Sequence, residues 1–389
     1  MTIGNGGMYA ATVALPLVQA DFGIGRSDAS LPYTLTMIGF GLGGIMMGRL
    51  ADRFGVMMPV IGGAIFICGG FVAASFAPNI WTFALLHGVL IGFFGCAATF
   101  APLIADVSQW FTKRRGIAVA IVISGNYVAG AIWPLVLENT FSSVGWRATY
   151  IGVGIFSLAT MIPLALLLGR PPPSHENGDS APHVRFVADR PLGFSPAVLQ
   201  AILVLASIAC CVAMSMPIVH IVAYCGDLGI AAARGAEMLS LMLASGIVSR
   251  LASGWISDQI GALRTLLLGS TLQGAALLLF LPFDGLASLY VVSAMFGLFQ
   301  GGIVPMYAII VRDYFPPSEA GTRVGVVMMA TMLGMALGGW MSGAVFDLTG
   351  SYRAAFLNGS AWNLFNVAIA AWLLYRHTRL YPTADRSRQ

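Results

Sequence analysis

Twelve apolar runs recur along this chain of 389 residues, most of them close to the ~20 residues that cross a ~30 Å hydrocarbon layer as helix. Such runs leave a water-soluble fold almost no polar surface. Hydrophobic residues make up 58% of the chain and charged ones 9%, where soluble domains carry about 25% charged residues. A bilayer offers backbone N–H and C=O groups no water, so only helices or closed barrels span it, and unbroken runs of this length indicate helices. The expected class is an all-α membrane protein.

Read against their breakers, the runs predict helices over 3–20, 30–51, 57–77, 80–107, 115–138 and 148–169, then over 197–224, 233–255, 263–282, 286–312, 322–346 and 354–375. The segment between the two sets, beginning RPPPSHENGDS at Arg170, is too polar and proline-rich to span and reads as a linker. The division is therefore a six-helix bundle over 1–169, a linker over 170–196 and a second bundle with its tail over 197–389. With both termini cytoplasmic, 15 of the 20 Lys and Arg fall on the cytoplasmic side, four (Arg26, Arg147, Arg234, Arg353) fall outside, and Arg250 alone lies within a helix. The positive-inside rule favours that orientation, and it accounts for the net charge of +4 without a nucleic-acid partner. The five cysteines have neither disulfide-framework nor zinc-site spacing and read as packing residues. No cleavable signal peptide is evident, and the first twenty residues read as the first helix.

The halves repeat each other. GRLADRFG at 48–55 and GWISDQIG at 254–261 align Gly48 with Gly254, Asp52 with Asp258 and Gly55 with Gly261 at an offset of 206 residues. Gly116, Gly125 and Gly130 match Gly325, Gly334 and Gly339 at an offset of 209, and WRATY (146–150) matches YRAAF (352–356). Paired six-helix repeats are the architecture of carriers that rock two halves around a central site.

GRLADRFG resembles the signature loop between helices 2 and 3 of the major facilitator superfamily, and GWISDQIG resembles its second-half copy. The resemblance covers the whole chain and implies the twelve-helix fold in two pseudo-symmetric bundles. The family pattern continues with a basic pair, where Val56 and Met57 stand here. WFTKRRGIAVAIVISGNYVAG (110–130), with HIVAYCGDLGI (220–230) leading into SRLASGWISD, is similar to the bacterial monocarboxylate and oxalate/formate transporters. In those carriers an arginine eight residues before the loop's polar position binds the substrate carboxylate, and Arg250 stands eight residues before Asp258. The aspartate those families often carry one turn earlier is Gly246 here, and the lysine of helix 1 or 11 is absent, Lys113 being the only lysine. Coupling by the usual charged pair therefore does not transfer.

Arg250 stands out without any family. Eight helical residues rise about 12 Å, which puts it near mid-depth if Asp258 marks the boundary, where an arginine costs about 2.5 to 3.5 kcal/mol on insertion scales. A buried ion pair would offset that, but Asp106 and Glu138 lie near helix ends and Glu237 starts helix 8, so no carboxylate is placed at mid-depth. Substrate binding is the better expectation, and a planar guanidinium fits a carboxylate through two parallel hydrogen bonds.

His220 has two readings that the residues leave open: a proton carrier or substrate donor, or a histidine bonded to a backbone carbonyl near its helix end. Asn126 and Tyr127 in helix 5, and more weakly Tyr9, Gln300 and Tyr307, are expected to line the cavity or to satisfy a neighbouring helix. Gly48, Asp52, Arg53, Gly55, Asp258 and Arg115 form the expected conformational gate. By the resemblance, Asp52 would meet the start of helix 11 near Glu319 to Arg323, and Asp258 would meet Lys113 to Arg115. GFGLGG at 39–44 matches a dinucleotide fingerprint but follows no strand, so helix packing explains it.

The function expected is secondary active transport of a small organic anion, a monocarboxylate, by alternating access, with proton coupling suggested by the family and by His220. The chain is expected to act as a monomer in the bacterial cytoplasmic membrane, without cofactor or metal. The alternative is an efflux pump for drug-like or other organic compounds, against which the positive intramembrane charge counts. An enzyme is not expected, because clustered catalytic groups are absent.

Overall fold

The computed structural model describes residues 1–110, 115–169 and 191–380, and every regular element among them is helical. The first six helices are α1 (Gly6–Phe22), α2 (Leu31–Phe54, led by the short turn Arg26–Ala29), α3 (Met57–Ser75), α4 (from Ile80 to Trp110 in four segments), α5 (Arg115–Val144) and α6 (Trp146–Leu166). The second six are α7 (Pro196–Asp227), α8 (Ala232–Ile260), α9 (Ala262–Leu279), α10 (Leu286–Gln300 and Ile303–Tyr314), α11 (Pro317–Thr349) and α12 (Tyr352–Leu380). Ten of these helices are long and apolar enough to cross a membrane. Of the other two, α1 has 17 residues and α12 is diluted by Asn358, Asn363 and Asn366.

Two helices expected to be continuous are not. α4 runs as Ile80–Leu86, widens into a π-helix over His87–Gly95, tightens to a 3-10 turn over Cys96–Thr99 and resumes at Ala101–Trp110. Its counterpart in the repeat, α10, breaks at Gly301 and Gly302. Without a hydrophobic force between helices in lipid, close backbone approach supplies the packing, and glycines permit it at both places. A Cβ on Gly39 or Gly43 of α2 would overlap the carbonyls of Gly88 and Phe93 in α4, and one on Gly297 or Gly301 of α10 would overlap the carbonyls of Met242 and Gly246 in α8.

The repeated loops are also repeated structures. Gly55 (φ 79°, ψ 164°) and Gly261 (φ 89°, ψ 157°) end α2 and α8 in the same conformation, one open only to glycine. This explains why the second glycine recurs in both copies.

The halves meet unevenly. On the face carrying the α1–α2, α7–α8 and α11–α12 connections, here the far face, the Arg26 turn packs against α11 so tightly that a Cβ on Gly343 would stand 2.8 Å from Arg26 backbone atoms. Further in, Thr34 of α2 donates to the Ala336 carbonyl of α11 at 3.2 Å, and Gly41 faces Met332. Toward the face bearing the repeated loops, Gly44 and Gly48 of α2, Gly321 and Gly325 of α11 and Gly254 of α8 have no atom of the described residues, their own helix backbone aside, within 4 Å of where a side chain would start. Among the described residues, the halves are therefore in contact at the far face and not at these loop-face glycines.

The end of the linker is held down. Pro191–Gly193 lies against α12, where the Arg376 guanidinium stacks 4.1 Å over the Phe194 ring. Residues 170–190 lie outside the described residues.

Candidate functional site

Arg250 sits where α5, α8 and α10 converge. Its guanidinium carbon lies 4.3 Å over the Tyr127 ring, and its Nε donates to the Gly301 carbonyl at 3.4 Å. That carbonyl belongs to the C-terminal end of the half-helix Leu286–Gln300, the negative pole of its dipole. The break in α10 is therefore what offers the arginine a backbone acceptor. Ser249 fixes the same junction by accepting from the Gly302 N–H at 3.1 Å.

No carboxylate lies within ion-pair distance of Arg250 among the described residues. The aromatic face returns about 1 to 2 kcal/mol of the insertion cost. Arg250 is half-buried, and its Nη groups stay accessible with no protein acceptor among the described residues. They present the planar fork that a carboxylate fits.

Gly246, where the similar carriers often have an aspartate, now has a structural reason. The Tyr127 ring occupies that space: a Cβ on Gly246 would overlap Cε1 and stand 2.7 Å from Cδ1. The neighbour beside the arginine here is an aromatic platform.

Four of the other expected cavity residues gather here. The Tyr9 hydroxyl donates to the Asn126 carbonyl at 3.2 Å and sits against Gly130. Asn126 adjoins Tyr127 in α5, and its side-chain Oδ1 is buried without a hydrogen-bond partner among the described residues. Gln300 precedes the carbonyl that holds Arg250, and both its side-chain polar atoms are buried without partners among those residues. Buried amides left in this state cost roughly 1 to 3 kcal/mol each unless another group, such as a bound molecule or water, satisfies them.

The remaining two lie elsewhere. Tyr307 donates to Asn366 Oδ1 at 2.7 Å, and Asn366 Nδ2 donates to Ser270 at 2.9 Å, a network that ties α9, α10 and α12 together within one half. His220 is fully buried with Nε2 at 2.8 Å from the Gly339 carbonyl and Nδ1 at 3.0 Å from the Tyr352 hydroxyl. The backbone-carbonyl bond of the second reading is present, at Gly339.

The expected gate residues are placed only in part. The side chains of Asp52 and Arg115 lie outside the described residues, as do Lys113 and Arg114. Arg53 and Asp258 are exposed, and Glu319 is occupied by Arg323 within α11 at 2.7 Å. Sequence reasoning missed the polar cluster that joins the halves at the far face. Arg26, counted only as a topogenic charge, is 9% exposed and grips Asp227 with both Nη groups, while Asp347 accepts from the Arg26 and Ser27 N–H groups at 2.8 Å each and from the Ser27 hydroxyl at 2.6 Å.

The model of the Major Facilitator Superfamily matches residues 2–269 and, in a second overlapping match, 203–389. Among curated proteins, monocarboxylate transporter 13 of Rattus norvegicus is 29% identical over 338 residues, covering 86% of this chain and 76% of that one. The MFS-type transporter YcxA of Bacillus subtilis is 27% identical over 350 residues, covering 87% and 83%. Among solved structures, the nucleoside transporter NupG superposes with a TM-score of 0.75 over 96% of this chain and 97% of its own, at 13% identity. A bacterial homologue of the lysosomal transporter Spinster gives 0.67 over 96% and 94%, at 17% identity. At such identities these two likenesses speak to the fold alone.

Proposed function

The chain belongs to the major facilitator superfamily, and we propose that it is a secondary active carrier of a small organic anion of the monocarboxylate class, moved by alternating access between its two six-helix halves. The observation that carries this reading is Arg250: a half-buried guanidinium on an aromatic platform, with open Nη groups and no carboxylate partner among the described residues. An incoming carboxylate would accept from both Nη groups and neutralise the Arg250 charge. Tyr9, Asn126, Tyr127 and Gln300 would line the rest of the site. The similarity to monocarboxylate transporter 13 supports the substrate class. The same positive charge argues against export of cationic compounds.

In this reading the loop face is cytoplasmic, as the placement of basic residues favours, and the open space at the loop-face glycines supports an inward-open conformation. Closing it would bring the two repeated loops against α11 and α5. Tyr307 and His220 stand outside the Arg250 cluster and are assigned no substrate contact. Proton coupling therefore rests on the family similarity alone.

Ligand-induced thermal stabilisation across a panel of carboxylates and organic cations, for the parent and Arg250→Ala, tests the reading. Carboxylates should stabilise the parent and not the variant. Equal stabilisation of both by cations, with none from carboxylates, would refute it.

A further inference from the structure

The first half shows how an aspartate and an arginine pair at the far face when both belong to one bundle. Asp21, at the end of α1, meets Arg147 at the start of α6 at 2.8 Å, and the Arg147 guanidinium also donates to the Ser75 carbonyl at 2.8 Å and lies 4.4 Å over Trp146. The second half carries the same pieces. Asp-x-Gly-Ile stands at 21–24 and again at 227–230, and Arg147 and Arg353 occupy the same place in WRATY and YRAAF, all at an offset of 206 residues. The backbone repeats too, with Gly23 (φ 63°) and Gly229 (φ 72°) both left-handed. Symmetry therefore assigns Asp227 to Arg353.

Asp227 is instead taken by Arg26 of the other half, whose counterpart in the repeat is Ala232. Arg353 is exposed and has no carboxylate partner among the described residues. It lies at the same end of the bundle, since its neighbour Tyr352 packs edge-on against Tyr224, one turn before Asp227, with ring centroids 5.6 Å apart. We propose that Asp227 exchanges arginines during the transport cycle: it pairs with Arg26 across the halves when the far face is closed, and with Arg353 within its own half when that face opens.

The physical reason is the cost of the open state. Parting the far face removes Arg26 from its seat 3.9 Å over Phe346 and from Asp227, and pulls the Ser27 turn off Asp347. A carboxylate stripped of its arginine would raise the energy of that state, and a waiting second arginine offsets the loss. Exchange keeps the two states close in energy, as a carrier that must visit both requires.

The test measures the far-face distance by double electron–electron resonance between spin labels on Ser143→Cys and Ala287→Cys, both exposed, with the half-buried native Cys68 replaced by serine. Arg26→Gln should raise the long-distance, open population. In that background Arg353→Gln should lower the open-to-closed ratio about two- to fivefold, the range of an exposed ion pair. Adding Asp227→Asn should abolish that response. If Arg26→Gln does not fold, Asp347→Asn loosens the same contact and supports the same comparison. No gain in open population in either background, no response to Arg353→Gln, or a response equally large with Asp227→Asn present would overturn the proposal.

Discussion

Gly246→Ala strains the one contact on which the Arg250 site is built. Its methyl group would stand 2.7 Å from Tyr127 Cδ1 and closer to Cε1, where ordinary contact begins at 3.4 Å, so the ring has to retreat by roughly an ångström. Tyr127 is itself the platform 4.3 Å beneath the Arg250 guanidinium. Overpacking of this kind costs about 1 to 3 kcal/mol, and a displaced cation–π partner about 1 to 2 kcal/mol. The stability loss should appear in thermal unfolding, and the second term as a carboxylate affinity about 5- to 30-fold weaker, read by titration with the carboxylate giving the largest thermal shift. Tyr127→Ala should weaken binding by a similar factor, and adding Gly246→Ala to it should cost little more, because the clash has gone. Additive losses in the double variant, or parental affinity in Gly246→Ala, would refute the platform role.

Tyr307→Phe should lower thermal stability by about 1 kcal/mol by freeing Asn366, while leaving carboxylate affinity within about twofold; a larger affinity loss would return Tyr307 to the binding site. Gly261→Ala forces a side chain into a positive-φ conformation at about 1 to 3 kcal/mol, and thermal unfolding should register it, as it should for Gly55→Ala. Gly343→Val would push the Arg26 turn off α11, so labelling of a cysteine at Ser27 by a membrane-impermeant maleimide should be faster than in the parent background; an unchanged rate would contradict the closed far face.

Much of this molecule was legible in its sequence because lipid imposes a simple code. Hydropathy found the twelve helices, the equal spacing of Gly48, Asp52 and Gly55 with Gly254, Asp258 and Gly261 found the repeat, and the cost of an intramembrane charge singled out Arg250. The breaks in α4 and α10 were not legible, since each lies inside one continuous apolar run and is set by close packing against a neighbouring helix. Nor was the reason for Gly246, because the ring that fills its place comes from Tyr127, 119 positions earlier in the chain. Arg26 and Asp227, 201 residues apart, were hidden for a related reason: each reads as an ordinary charge at a helix end until folding joins the halves. A signal for that pair did exist in the Asp-x-Gly-Ile repeat, whose first copy is satisfied by Arg147 and whose second is not satisfied by Arg353.

The proposed function depends above all on Arg250 binding the carboxylate of the transported anion. The deciding measurement is uptake of radiolabelled short monocarboxylates into proteoliposomes, compared between the parent and Arg250→Ala at matched reconstitution. Uptake by the parent should be saturable, and the variant should lose at least about 30-fold in kcat/KM, the lower end expected when one partner of a buried charge pair is removed. Saturable monocarboxylate uptake by Arg250→Ala at the parental kcat/KM would contradict it.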